Sequence, residues 1–249
     1  YVAWCWDAGT GSAVSNTDGS VTSSVKANTA KGFSIATWTG NATGGATFGH
    51  GLTSSAPEVV IVKNRTDAEN WAVFHTSVGN TKAMTLNSTD AALTSTNYWN
   101  DTSPSASVVT LGSDNSTNGS SDNMVAYCFH SVSGYSSIGS YTANTTTPPV
   151  VTGLGFKPAF LMVKNISRSE DWAIIDNTRD VGAPKTKILS PNSASSEIDS
   201  VDRVTFDSDG FTVNAPAFYT FNYQTGDTYI YMAFADTRDA TFFGDTSGN

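Results

Sequence analysis

The chain has 249 residues, a formal net charge of −9, and only 14% charged side chains against 39% apolar ones. That balance lacks the clustered Lys and Arg needed to neutralise a nucleic-acid backbone, and no apolar run reaches the roughly 18 to 20 residues of a membrane-spanning helix. Ser and Thr make up about a quarter of the chain, so the surface is polar without being ionic, and scarce Lys and Glu predict strands and turns rather than helices.

Residues 1–6, Tyr-Val-Ala-Trp-Cys-Trp, read as a strand with two apolar faces, hence a buried one. A small-residue linker follows over 7–16, then a strand-like run through Val21 and Val25 and a strand over 33–39. Residues 59–63 and 71–74 predict a hairpin across an exposed seven-residue loop, 64–70. Short strands at 82–86, 108–111 and 124–129 complete this series. A second series follows at 160–164, 172–175, 185–189, 211–213 and 229–234.

The second series is the first one written again. Residues 57–74 return without a gap as 158–175, with Val-Lys-Asn and Trp-Ala in register, so that Lys63 and Lys164, and Trp71 and Trp172, stand 101 positions apart. The register extends upstream, where Ser34-Ile35, Trp38-Thr39 and Asn41 answer Ser137-Ile138, Tyr141-Thr142 and Asn144. Downstream, 122–129 answers 227–234. Turns at short intervals without helical periodicity predict an all-β protein of two tandem β-sandwich repeats, jelly-roll or lectin-like, each about 100 residues. The expected boundaries are 32–132 and 133–236, with a tail at 237–249. Because residues 1–6 also match 124–129, the segment 1–31 is expected to carry the closing strand of a preceding repeat plus a linker.

Chemistry-bearing motifs are few. Cys5 and Cys128 occupy one position of successive copies, with Ala233 in the third, which predicts packed free thiols. His50, His75 and His130 show no metal-ligand spacing and are read as structural. The only glutamates are Glu58, Glu69, Glu170 and Glu197. They form no recognisable acid–base pair, and neither a nucleophile elbow nor a phosphate-binding loop is present, so no catalytic residue is assigned and no enzyme is expected. Asp207 and Asp209, before Gly210, suit a tight turn; they are also candidates, with Asp199 and Asp202 joining them in space, for one structural calcium, the only cofactor considered.

The copies differ most before their last strands. Residues 112–121 are wholly polar, whereas 214–224 carry Phe218, Tyr219, Phe221 and Tyr223 beside Asn222 and Gln224. Such rings stack on sugars and anchor partners, and they equally close the end of a sandwich. Tyr98 and Trp99 form a second aromatic candidate for ligand binding.

The phrases Ser15-Asn-Thr-Asp-Gly-Ser20, Gly32-Phe-Ser-Ile35, Gly49-His-Gly-Leu52, Ile61-Val-Lys-Asn-Arg65, Asn70-Trp-Ala-Val-Phe74 and Val125-Ala-Tyr-Cys-Phe129 resemble a repetitive tail-fibre-like, virion structural family of tailed phages of marine bacteria. The resemblance implies a virion-surface or extracellular location, other virion or fibre proteins as partners, a homo-oligomer for which a trimer is the analogy, and host-surface glycan attachment. A free carbohydrate-binding module or lectin and a polysaccharide-degrading enzyme are the alternatives. The resemblance supplies no catalytic residues.

Overall fold

The structure, a computed structural model, describes residues 2–53, 55–214 and 219–236, and only the backbone of residues 200–202 and 219. Its N-terminal half contains β1 (Val14–Asn16), β2 (Ser23–Asn28), β3 (Phe33–Thr39), β4 (Thr47–Gly49), β5 (Val59–Asn64), β6 (Ala72–His75), β7 (Lys82–Thr85), β8 (Leu93–Thr94), β9 (Val108–Thr110) and β10 (Asn123–Phe129), with the single-turn helices α1 (Thr96–Trp99) and α2 (Asn115–Asn118). The C-terminal half contains β11 (Ser136–Thr142), β12 (Val150–Thr152), β13 (Pro158–Asn165), β14 (Ala173–Asp176), β15 (Lys185–Ile188), β16 (Ile198–Asp207), β17 (Gly210–Val213) and β18 (Thr228–Ala235), with α3 (Tyr219–Asn222).

These strands build an all-β protein of antiparallel sheets. In the first half one sheet runs β1-β2-β3-β10-β5-β6-β7-β8 and faces the pair β4-β9; in the second, β11-β18-β13-β14 faces β12-β17-β16-β15. The order β3-β10-β5-β6 in one half matches β11-β18-β13-β14 in the other, and β4-β9 matches β12-β17. Strands that correspond in sequence thus take corresponding places.

Alternation along the strands explains why both faces are apolar. Val60, Val62, Ala72, Phe74, Met124, Ala126 and Cys128 point into a core beneath β4 and β9. Their neighbours Val59, Ile61, Val73 and Phe129 point the other way and meet Phe160, Met162, Ile174, Ile230, Met232 and Phe234 of the second half. The opposite faces of those strands carry Leu161, Val163, Ile175, Tyr229 and Ala233 into a third core with Phe206 and Phe211. The molecule is therefore four β-layers deep, and the two central sheets are buried on both sides.

The halves differ at their margins. In the first, β2 pairs with β3 and sends Val25 into the core. Among the described residues no strand lies outside β11, and Tyr231 enlarges the core there; Gly139 is its cross-strand partner, and a Cβ on Gly139 would meet the Tyr231 hydroxyl at 2.7 Å.

The opening segment departs from expectation. Residues 2–6 belong to no strand, and Cys5 is exposed rather than packed. The segment lies along the junction of the central sheets. There Trp6 meets Phe129, Phe160 and Phe234 edge-on at 5.8, 5.5 and 5.5 Å, and the Trp4 indole donates to Asp176 Oδ2 at 3.2 Å. Cys128 follows expectation: it is a buried free thiol, pushed up to about 12 by burial.

Candidate functional site

The repeated polar residues hold loops in place. Asn64 Oδ1 accepts the backbone N–H groups of Thr66 and Asp67, while Nδ2 donates to Asp122 Oδ2 at 2.8 Å and to the Asn115 carbonyl. Asn165 does the same with Ser167, Arg168, Asp227 and the Tyr229 hydroxyl. Lys63 Nζ donates to the carbonyls of Asn64, Asp67 and Glu69; Lys164 Nζ donates to those of Asn165, Glu170 and Thr89. A satisfied ammonium in each hairpin replaces the water that an exposed loop would otherwise use. Trp172 follows the same pattern, its indole donating to the Thr85 carbonyl at 3.0 Å.

His50 and His75 hold turns in the same way. His50 is fully buried, bonds Leu52 N–H through Nδ1 and the Ser105 carbonyl through Nε2, and is held below its ordinary pKa by burial. His75 accepts the Ser77 N–H on Nδ1, and its Nε2 reaches the Tyr231 carbonyl of the opposite half at 3.3 Å. Burial lowers its pKa to about 4.

Several residues nominated for ligand binding turn out to be core. Trp99 is 1% exposed and packs edge-on against Phe74 at 5.8 Å, because α1 turns it inward. Phe221 is fully buried, and its carbonyl accepts the Tyr141 hydroxyl at 2.8 Å. Asn222 is also buried, and it bonds the Asn144 N–H and carbonyl at 2.8 and 2.9 Å. Tyr223 is half-buried with the Arg168 guanidinium 5.1 Å over its ring, and Gln224 Oε1 accepts from Arg168 at 2.5 Å. Phe218 and the Tyr219 side chain lie outside the described residues.

The aromatic segment thus conceals a shared element. Helix α2 delivers Asn118 to Asn41 as α3 delivers Asn222 to Asn144. Composition hid this match, although Asn41 and Asn144 were already in register and pointed to it.

Asp207 and Asp209 do not converge on a metal-like cage. Asp209 accepts the N–H groups of Gly153 at 3.0 Å and Gly155 at 2.7 Å, and Asp207 accepts the Thr212 hydroxyl at 2.8 Å. Both brace the turn into β17. Among the described residues no group of three His, Cys, Asp or Glu side chains could hold a metal ion.

Tyr98 has a different setting. It is half-buried and lines a groove of about 490 Å³ with Asn70, Met84, Asp90 and Leu93, the last 58% exposed. Ser95 caps α1 by accepting the Asn97 N–H, and Asn100 closes it in the left-handed region at φ 49°. Both halves brace the groove wall: Ala92 N–H donates to the Ile166 carbonyl at 3.2 Å, and Lys164 reaches Thr89 at 3.0 Å. Asn70 Oδ1 accepts from Asn87 at 2.9 Å, and the Asp90 carboxylate accepts from Ser88 at 2.6 Å. Burial, then the Asp114 and Glu69 charges, raises the Tyr98 phenol above its ordinary pKa, so it is a neutral hydrogen-bonding group at physiological pH. An aromatic wall, a neighbouring aliphatic side chain, an amide and a carboxylate thus place stacking surface and hydrogen-bonding groups around one groove.

A larger cleft of about 830 Å³ lies at an end of the second half, between the β14–β15 loop and the start of β13. Its loop, 177–184, has no counterpart of equal length in the first half, and its lysines were not singled out from sequence.

Fold and grooves together define a multilayer β-sandwich protein in whose clefts repeated and non-repeated segments meet. More particularly, the chain belongs to the family DUF7483, a domain of unknown function, whose model matches residues 1–238. No curated protein sequence and no solved structure matches it.

Proposed function

We propose that this chain is a structural module of a virion surface fibre that contributes to host attachment by binding a surface glycan in the Tyr98 groove. The observation that carries the reading is a division of labour. Repeated polar side chains such as Asn64, Lys164 and Asn165 are committed to internal hydrogen bonds, while the non-repeated α1 region presents Tyr98 and Leu93 beside Asp90. A scaffold that holds its own loops while leaving an aromatic groove open suits an attachment protein working outside the cell. In the same reading, partner fibre proteins and copies of this chain meet the remaining polar surface.

The test is a glycan array with host-surface polysaccharides, followed by titration of the strongest hit against wild type and Tyr98→Ala. Tyr98 is only partly buried, so Tyr98→Ala is expected to stay folded and to lose at least tenfold in affinity. Wild-type affinity in a folded Tyr98→Ala protein would overturn the assignment of the groove.

A further inference from the structure

Lys63, Lys164 and Lys185 each donate to backbone carbonyls from a strand end, and Lys185 differs from the other two. Lys63 and Lys164 each place Nζ among three carbonyl oxygens, the full complement for an ammonium group. Lys185 is only 6% exposed, yet its Nζ donates to a single carbonyl, that of Asp180, and otherwise lies 5.6 Å above the Phe206 ring. Among the described residues its ammonium makes no ion pair; those found join Arg168 to Asp227 and Arg179 to Asp176 and Glu197. The nearby Asp180 carboxylate is occupied otherwise, accepting the N–H groups of Gly182, Thr186 and Lys187 at 3.1, 2.5 and 3.0 Å. Burial lowers the Lys185 pKa, and the Asp180 and Asp176 charges offset part of that cost without forming an ion pair with the ammonium.

Lys185 lines the 830 Å³ cleft, and so does Lys157, close enough to oppose its charge. Two of the 13 cations of an acidic chain therefore share one opening. Asn177, Thr178 and Ser208 add hydroxyl and amide groups to its lining, Phe156 and Phe206 supply apolar surface, and Val181 stands 88% exposed on the bordering loop. Asp236 also lines the cleft and takes a 3.4 Å bond from Asn177.

We propose that this cleft is a second glycan subsite, specific for acidic sugars, in which a carboxylate of the ligand completes the ammonium coordination of Lys185 and pairs with Lys157. The inference rests on the glycan-attachment reading for its ligand class but uses a site distinct from Tyr98.

The test is calorimetric titration with oligogalacturonate, with maltohexaose as the neutral control and inorganic sulfate as the simple anion. Oligogalacturonate should bind, weaken as NaCl is raised, and lose at least tenfold in affinity in Lys157→Ala, an exposed-site change that should leave folding intact. It should lose similarly in Lys185→Met, with Lys157→Ala deciding the matter if Lys185→Met fails to fold. Binding must persist in Tyr98→Ala, which separates this site from the groove. The proposal is overturned if wild type binds maltohexaose as tightly as oligogalacturonate, if sulfate at equal concentration displaces the oligomer completely, or if folded Lys157→Ala binds like wild type.

Discussion

The two hairpin loops, 64–70 and 165–171, are built alike and used differently. In the first half Lys63 closes a ring within its own loop through Asp67; in the second, Lys164 directs the equivalent bond to Thr89 and so ties the C-terminal hairpin to the N-terminal half. A change of one acceptor turns a local brace into a bond between halves. The opposite shift occurs at the ends of β6 and β14. His75 accepts a turn N–H and reaches across to Tyr231, whereas Asp176 accepts the Thr178 and Arg179 N–H groups and pairs with Arg179. Burial pushes the Asp176 carboxyl up, but the Arg179 hydrogen bonds and charge and the Trp4 indole more than offset this and hold it below its ordinary range. A shared scaffold tolerates a neutral imidazole in one copy and an ion pair in the other because each satisfies the same turn.

The sharpest way to break the comparison is to ask whether the halves are independent. Phe160 meets Trp4, Trp6 and Phe234 at 5.9, 5.5 and 5.9 Å, at the junction of the two central sheets. Phe160→Ala should cost about 3 to 5 kcal/mol by opening a cavity there. If the junction couples the halves, urea unfolding followed by tryptophan fluorescence and by far-UV circular dichroism will shift as one coincident transition. Two separated transitions, only one of them displaced, would show that the halves stand alone.

Next in size is the protonation of His75. Its folded pKa, about 4, lies below the ordinary 6.5, so between those values the unfolded chain binds more protons than the folded one. The stability linked to the neutral ring is therefore fully present above about pH 6.5 and is lost as pH falls towards 4, about 3 kcal/mol in all. His50, lowered by burial as well, adds a loss of the same sign. Unfolding free energies measured from pH 7 to 4 should fall steeply for wild type and less steeply for His75→Asn, which retains an acceptor for the turn but does not titrate. An unchanged slope would mean that His75 is not buried in its neutral form.

Much of this scaffold was legible in the sequence, and the reason is periodic. A strand buried on both faces must be apolar at every position, and residues 59–62 and 160–163 satisfy that in both copies. The loop-holding role of Lys63 and Lys164 was partly legible, since a polar pair repeated in register between apolar strands needs a common structural reason. The partners were not, because Thr89, Asp122 and Asp227 are brought in by tertiary contacts that period two does not encode. For Trp99 and Phe221 the sequence left ligand contact and packing both open, and burial favours packing because a single helical turn rotates each ring inward. Lys185 gave no sequence signal, because its incomplete coordination depends on where Asp180 sends its carboxylate.

The smallest expected effect bears most directly on whether the copies share more than their sequences display. Asn118 and Asn222 come from segments with almost no residues in common, yet each joins a short helix to the turn after the first repeated strand. Asn118 donates to the Asn41 side chain and to the Thr43 and Gly112 carbonyls, at 3.0, 3.1 and 3.2 Å. Asn222 bonds the Asn144 backbone at both ends of its amide. Replacing either by Ala removes bonds to part-buried backbone groups, at about 1 kcal/mol or somewhat more. If the two bridges are equivalent, Asn118→Ala and Asn222→Ala should lower the unfolding free energy by amounts that agree within about 1 kcal/mol, and the double variant should lose close to the sum, because the sites lie in different halves of the chain. A loss confined to Asn118→Ala would make the second bridge incidental, leaving the likeness of α2 and α3 one of position without a common structural duty.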